Sequence, residues 1–135
     1  MTALVCLGLG YCAQFYVAEF GSRFDRVIGT SRSPDKKASA AVQTLVFGGL
    51  HPSPKLREAI SGASALLISA APNNAGDPVL AALAGDIATA ANLQSIVYLS
   101  SLGVYGDHGG AWVDETAPTI PPHTRGAARV DAELA

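Results

Sequence analysis

Charge is scarce in this sequence. Of 135 residues only 15% are Asp, Glu, Lys or Arg, while 49% are hydrophobic; globular chains usually carry about 25% charged residues. A chain this apolar can bury enough surface to offset its conformational entropy, which excludes an intrinsically disordered protein. Positive charge is scarcer still. Nine Lys+Arg face eleven Asp+Glu, a formal net charge of −2, and no basic run exceeds the pair Lys36-Lys37. Phosphate-directed nucleic-acid binding needs a basic face, so no nucleic-acid partner is expected. Cysteine is limited to Cys6 and Cys12, too few for a disulfide framework and wrongly spaced for a redox pair or a zinc site. A reduced, cytoplasmic setting without a metal is the expectation.

Long apolar runs are interrupted where a membrane segment would need them continuous. Residues 87–106 carry no charge, a length that could cross a bilayer core of roughly 30 Å. They also hold Asn92, Gln94, Ser95, Ser100, Ser101 and two glycines, and read better as a buried helix followed by a buried strand. The N-terminus is uncharged as far as Glu19, but it lacks a positive leading region, and Gly8 and Gly10 break its apolar run. A signal peptide is not expected, and neither is a membrane partner.

What is present is an alternation of strand-like and helix-like segments. Strands are expected at Ala3–Leu7, Arg26–Ser31, Thr44–Phe47, Ala65–Ala70 and Ser95–Ser101. Their uniformly apolar character is that of strands buried on both faces of a parallel sheet. Ala13, Val17, Phe20 and Phe24 form one helical stripe, and Leu80, Leu83, Ile87 and Ala91 another. Ser33-Pro34, Ser53-Pro54 and Asp77-Pro78 each read as a capping residue followed by a proline at the first helical position. The expected fold class is α/β: a doubly wound parallel sheet of the Rossmann type, three layers α/β/α. A long loop from Leu102 to about Thr124 precedes a last helix expected from near Arg125. That helix reaches Ala135 with no C-cap signal. Residues 1–135 are therefore expected to be one nucleotide-binding domain, cut before a C-terminal substrate-binding region.

The first strand runs into Gly8-Leu9-Gly10-Tyr11-Cys12-Ala13, a G-x-G-x-x-A turn between strand and amphipathic helix. The first glycine permits the tight turn, the second lets a pyrophosphate approach, and the small Ala13 lets helix pack on strand. In this context the turn predicts a dinucleotide site, with Gly8, Gly10, Tyr11, Cys12 and Ala13 around the phosphates. An NAD site would place Asp or Glu at the end of the second strand, on the ribose 2′-hydroxyl. Here that stretch reads Ser31-Arg32-Ser33. Arg32 can pair with a 2′-phosphate and the serines can donate hydrogen bonds, so NADP is favoured over NAD. Ala70, Ala71 and Pro72, small residues after the fourth strand, would let the ribose and diphosphate cross the sheet edge.

Beyond the fifth strand, Tyr98-Leu99-Ser100-Ser101-Leu102-Gly103-Val104-Tyr105-Gly106-Asp107 resembles the S-S-x-x-V-Y-G segment of extended short-chain dehydrogenases/reductases, the NAD-dependent epimerase/dehydratase group. With the glycine turn and the Asp114-Glu115…Pro118…Pro121 run, the resemblance covers essentially the whole chain. It implies a Rossmann NAD(P) domain acting on a small carbonyl, hydroxyl or nucleotide-sugar-like substrate. It also implies that Ser101 hydrogen-bonds the reacting oxygen, with Ser100 beside the cofactor.

The family's Tyr-x-x-x-Lys pair is replaced here by Arg125-Gly126-Ala127-Ala128-Arg129, placed by the downstream Glu133. Arg129 can supply the lysine's charge at the ribose. Arg125 cannot replace the tyrosine, because guanidinium gives up no proton at accessible pH. The chain thus resembles atypical members that keep the turn and the serine but not the pair. Substitute proton carriers are Tyr105 and His123; imidazole exchanges its proton near neutral pH, which makes His123 the chemically easier donor. Adjacent side chains diverge on extended backbone, so Asp114 and Glu115 are read as a solvated loop. The leading expectation is an NADP-dependent reductase, epimerase or dehydratase. Its rival is a non-catalytic NADP(H) sensor, which would need no proton donor. An S-adenosylmethionine-dependent methyltransferase shares the first turn but not the Ser-Ser-x-x-Val-Tyr-Gly segment. The remaining expected partner is a small-molecule substrate, and a homodimer is left open.

Overall fold

Five strands, all parallel, form one sheet in the order β3-β2-β1-β4-β5. The computed structural model describes residues 1–35, 39 and 41–135. Along the chain run β1 (Ala3–Leu7), α1 (Tyr11–Phe20), β2 (Arg26–Ser31), β3 (Val42–Val46), α2 (Pro54–Ser61), β4 (Ala65–Ile68), α3 (Pro78–Ala88), β5 (Ser95–Tyr98) and α4 (Thr124–Leu134). Single 3₁₀ turns occupy Gly21–Arg23 and Leu102–Val104. This is the expected Rossmann-like doubly wound fold, with its change of winding direction between β1 and β4.

Alternate residues of the central strands feed two cores. Val5, Leu7, Ile28, Leu66 and Ile68 pack on one face against Leu56 and Ile60 of α2 and Val79 and Leu83 of α3. Leu4, Cys6, Val27 and Leu67 pack on the other against Ala13 and Val17 of α1. Burial inside this apolar layer pushes the Cys6 thiol up to about 11, so it stays protonated and unreactive.

The edge strands depart from the expectation of two-faced burial. In β5, Ile96 is 50% and Val97 52% exposed, and β3 has no fully buried residue. Each has only one neighbouring strand, and Ile96 and Val97 belong to neither core. The fourth and fifth strands also end earlier than expected, at Ile68 and Tyr98. The amides of Ser69 and Ala70 both turn in to the Leu7 carbonyl, at 3.0 and 2.9 Å, which takes the chain out of the sheet.

Two of the three expected helix starts are present. The Ser53 hydroxyl accepts from the Leu56 amide at 3.3 Å; Asp77 accepts from Val79 and Leu80 at 2.8 and 3.0 Å. Each is followed by proline at the first helical position. At the third, Arg32–Asp35 form bends and a turn, and most of the segment that would carry the helix lies outside the described residues. In α3 the buried stripe runs through Val79 and Leu83 rather than Leu80. In α1 Phe20 is partly exposed; its ring lies 5.1 Å from that of Tyr16 and 5.0 Å from the Arg23 guanidinium. Arg57 and Asp86 form an ion pair joining α2 to α3.

Candidate functional site

The glycine turn is locked to both neighbouring strands. Thr30, buried within β2, accepts a 2.8 Å hydrogen bond on Oγ1 from the Gly8 amide and a 2.7 Å bond on its carbonyl from the Leu9 amide. From the other side, the Ser69 hydroxyl donates to the Gly8 carbonyl at 2.5 Å. Gly8 sits at φ +104°, and a Cβ there would stand 2.8 Å from the Ala70 nitrogen. Only glycine meets both conditions. Leu9 turns inward and is buried in the α1-side core.

Gly10 then caps α1 with extended backbone, and no side chain caps that helix. A Cβ at Gly10 would meet nothing within 4 Å. The turn therefore presents open space directly before the amides of Tyr11, Cys12 and Ala13, at the positive end of the helix dipole. Tyr11 and Cys12 are exposed and Ala13 is buried against the sheet. These features fit a dinucleotide pyrophosphate.

At the end of β2, Ser31 is buried and its hydroxyl accepts from the Ser33 amide at 3.2 Å. Arg32 and Ser33 are exposed. Phe47, whose amide donates to the Ser31 carbonyl at 2.9 Å, brings the segment after β3 alongside them. Beyond β4, Ala70 is half-buried, Ala71 exposed and Pro72 buried. All these residues lie at the carboxyl ends of the strands, around the switch point between β1 and β4.

A second concavity lies past the end of β5. A cavity of about 470 Å³ is lined by Ser100, Ser101, Leu102, Val104, Tyr105, Glu115, Thr119 and Glu133. Ser101 Oγ accepts from the Gly103 amide at 3.2 Å, which leaves its hydroxyl hydrogen free to point at a ligand. The structure thus brings Ser101 and Tyr105 to one cavity. His123 stands at the start of α4, exposed, and does not line it. Arg129 reaches back instead, donating to the Leu99 carbonyl at 2.8 Å. One turn further along α4, Glu133 accepts from the Ser100 hydroxyl. Gly126 lets the helix close on this segment, because a Cβ there would stand 2.8 Å from the Pro121 Cβ and 3.1 Å from the Gly103 carbonyl.

Three of these residues are not among the sequence-based site candidates. Glu115, which the sequence reads with Asp114 as solvated loop, lines the cavity, while Asp114 only caps a turn through Thr116 at 2.9 Å. Thr119 lies in the same loop, whose path the sequence does not fix. Glu133 carried a signal in its i, i+4 spacing from Arg129, which puts both on one helix face.

No protein-family model and no curated protein matches the sequence. Solved structures do. A conserved protein of unknown function from Silicibacter pomeroyi DSS is 42% identical with a TM-score of 0.82, over 99% of this chain and 48% of its own. A short-chain dehydrogenase/reductase superfamily protein from Agrobacterium tumefaciens, solved with bound NAD, is 20% identical with a TM-score of 0.73, over 98% of this chain and 43% of its own. UDP-N-acetylglucosamine 4-epimerase from Bacillus cereus is 17% identical with a TM-score of 0.69, over 99% and 47%. The fold is therefore the Rossmann-like α/β fold of short-chain dehydrogenase/reductase and epimerase structures, and the chain spans about half the length of the structures it matches. Among the described residues no helix is long and apolar enough to cross a membrane.

Proposed function

We propose that this chain binds a nicotinamide dinucleotide, NADP in preference to NAD, and serves an oxidoreductase, epimerase or dehydratase reaction on a small carbonyl, hydroxyl or nucleotide-sugar-like substrate. The observation that carries this reading is the Gly8–Gly10 turn, held by Thr30 and Ser69 at the switch point and opening onto the uncapped start of α1. The bound-NAD relative of the same fold supports the cofactor class. Arg32, exposed beside Ser31 and Ser33, would hold the 2′-phosphate.

A bound nicotinamide supplies hydride transfer. The chain's own part is orientation and proton handling. The free hydroxyl hydrogen of Ser101 polarises the substrate oxygen, and Tyr105, in the same cavity, carries the proton. His123 is the alternative carrier from the start of α4. The test is a panel of carbonyl, secondary-alcohol and nucleotide-sugar substrates. Oxidoreduction is followed by the absorbance of reduced nicotinamide; epimerisation or dehydration, which return the hydride and leave no net change in absorbance, are followed by chromatography of the substrate. Turnover abolished by Ser101→Ala supports the enzyme, and turnover indifferent to that change removes Ser101 from the reaction.

A second reading, a non-catalytic NADP(H) sensor, is favoured by Arg129. Its guanidinium is engaged by the Leu99 carbonyl, a structural use of the residue that would otherwise hold the ribose. NADPH binding without turnover on any member of the panel decides for the sensor. In either case the setting is taken as cytoplasmic, and a homodimer is open.

A further inference from the structure

We propose that residues 107–119 form a lid over the cavity holding Ser101 and Tyr105, and that the Trp112 indole is the part of the lid that meets the bound ligand. The proposal rests on the cofactor reading above. The two ends of the segment are pinned together: the Ile120 amide donates to the Tyr105 carbonyl at 3.3 Å, and Gly106, at φ +74°, lies so close to the Ile120 carbonyl that a Cβ would run into it. A closed-ended loop of this kind moves as one flap about a fixed base. Its base already belongs to the cavity, because Glu115 and Thr119 line it together with Ser101 and Tyr105. Inside the flap, Gly109 and Gly110 both have positive φ, +64° and +79°. They give the tip a pair of adjoining flexible joints.

The tip itself is the clearest sign. Trp112 is fully exposed, although an indole is among the most favourable side chains to bury and to lay against a flat ring. Among the described residues nothing covers it. Five residues separate it from Gly106, and extended chain spans about 3.3 Å per residue, so it can reach across the cavity mouth without disturbing the pinned base. Closing would exclude water from the Ser101 hydroxyl and strengthen its hydrogen bond to a substrate oxygen.

Trp112 is the lone tryptophan of the sequence, so its fluorescence reports the lid alone. The probe is NADP⁺, which does not absorb the emission, with binding followed separately by calorimetry. Saturating NADP⁺ is expected to shift the emission to the blue and lower its quenching by acrylamide several-fold. Gly109→Pro is expected to remove that protection while NADP⁺ still binds. Calorimetric binding with unchanged acrylamide quenching overturns the lid and leaves the cofactor reading standing. Absence of binding by NADP⁺ and NAD⁺ alike overturns both. Protection that follows protein concentration rather than NADP⁺ puts the indole between two copies of the chain and also overturns the lid.

Discussion

The Thr30 hydroxyl and the Gly8 amide are 2.8 Å apart, and this hydrogen bond ties the glycine turn to the interior of β2. Thr30 is 2% exposed, so the partner cannot be replaced by water. Thr30→Val keeps the shape of the side chain and strands the Gly8 N–H. The expected loss is about 1–3 kcal/mol of stability, read by urea unfolding, together with weaker NADPH binding as the turn loosens. Stability unchanged in Thr30→Val would mean that the Ser69 hydroxyl and the main-chain bond from Leu9 to residue 30 hold the turn without the Thr30 hydroxyl.

Gly8→Ala has two costs at one position. A positive φ strains any L side chain by about 1–3 kcal/mol, and the new Cβ would press on the Ala70 backbone, which cannot yield as a flexible side chain would. The chain is expected to lose at least that much stability in the same unfolding assay. A Gly8→Ala protein as stable as the parent would contradict the geometry of the switch point.

On the proposed reading, Arg32 governs the choice between the two dinucleotides. Arg32→Asp replaces a donor fork for the 2′-phosphate with a carboxylate that repels it and accepts from a 2′-hydroxyl. The expected outcome is a reversal of preference, with NADPH weakened about 100-fold and NADH strengthened. Calorimetric titration of both nucleotides reads it; unchanged NADPH affinity removes Arg32 from the site.

Tyr98 and Asp77 make stability fall in alkali. The Tyr98 hydroxyl donates to Asp77 at 3.0 Å. Burial first, and then the Asp77 charge and hydrogen bond, push the phenol up to about 12. The folded chain therefore holds this proton more tightly than the unfolded chain, whose tyrosine titrates near ~10. The contribution is complete below pH ~10 and is lost as pH rises from there to about 12. Tyr98→Phe should lower stability at neutral pH by about 1–3 kcal/mol, because a buried Asp77 oxygen loses its donor, and should flatten the alkaline decline. An alkaline decline of equal depth in Tyr98→Phe would assign it to other groups.

Much of this fold was legible because burial on two faces leaves a plain mark. β1 and most of β2 are continuous apolar runs, and their bounds match the expectation. The edge strands were misjudged because apolar residues such as Ile96 and Val97 look the same in sequence whether or not a helix covers them. Ser53-Pro54 and Asp77-Pro78 announced their helices because capping is local chemistry. The clamp on the glycine turn was written as one polar residue, Thr30, inside an apolar strand, a signal that names no partner. The contacts of α4 are different in kind. Arg129 meets Leu99 and Glu133 meets Ser100 across some thirty residues of chain, and spacing alone says nothing about such distances.

Gly10 offers the most direct test of the central claim, that the turn before α1 receives a dinucleotide. A Cβ there meets nothing within 4 Å and the backbone is extended, so Gly10→Val should cost no more than about 1 kcal/mol as a poorer cap. It would nonetheless fill the space through which a pyrophosphate must approach. NADPH titrated into the parent protein and into Gly10→Val, beside an unfolding curve for each, is the measurement. The account predicts two proteins of similar stability, of which only the parent binds NADPH; equal binding by both, or none by the parent, would contradict it.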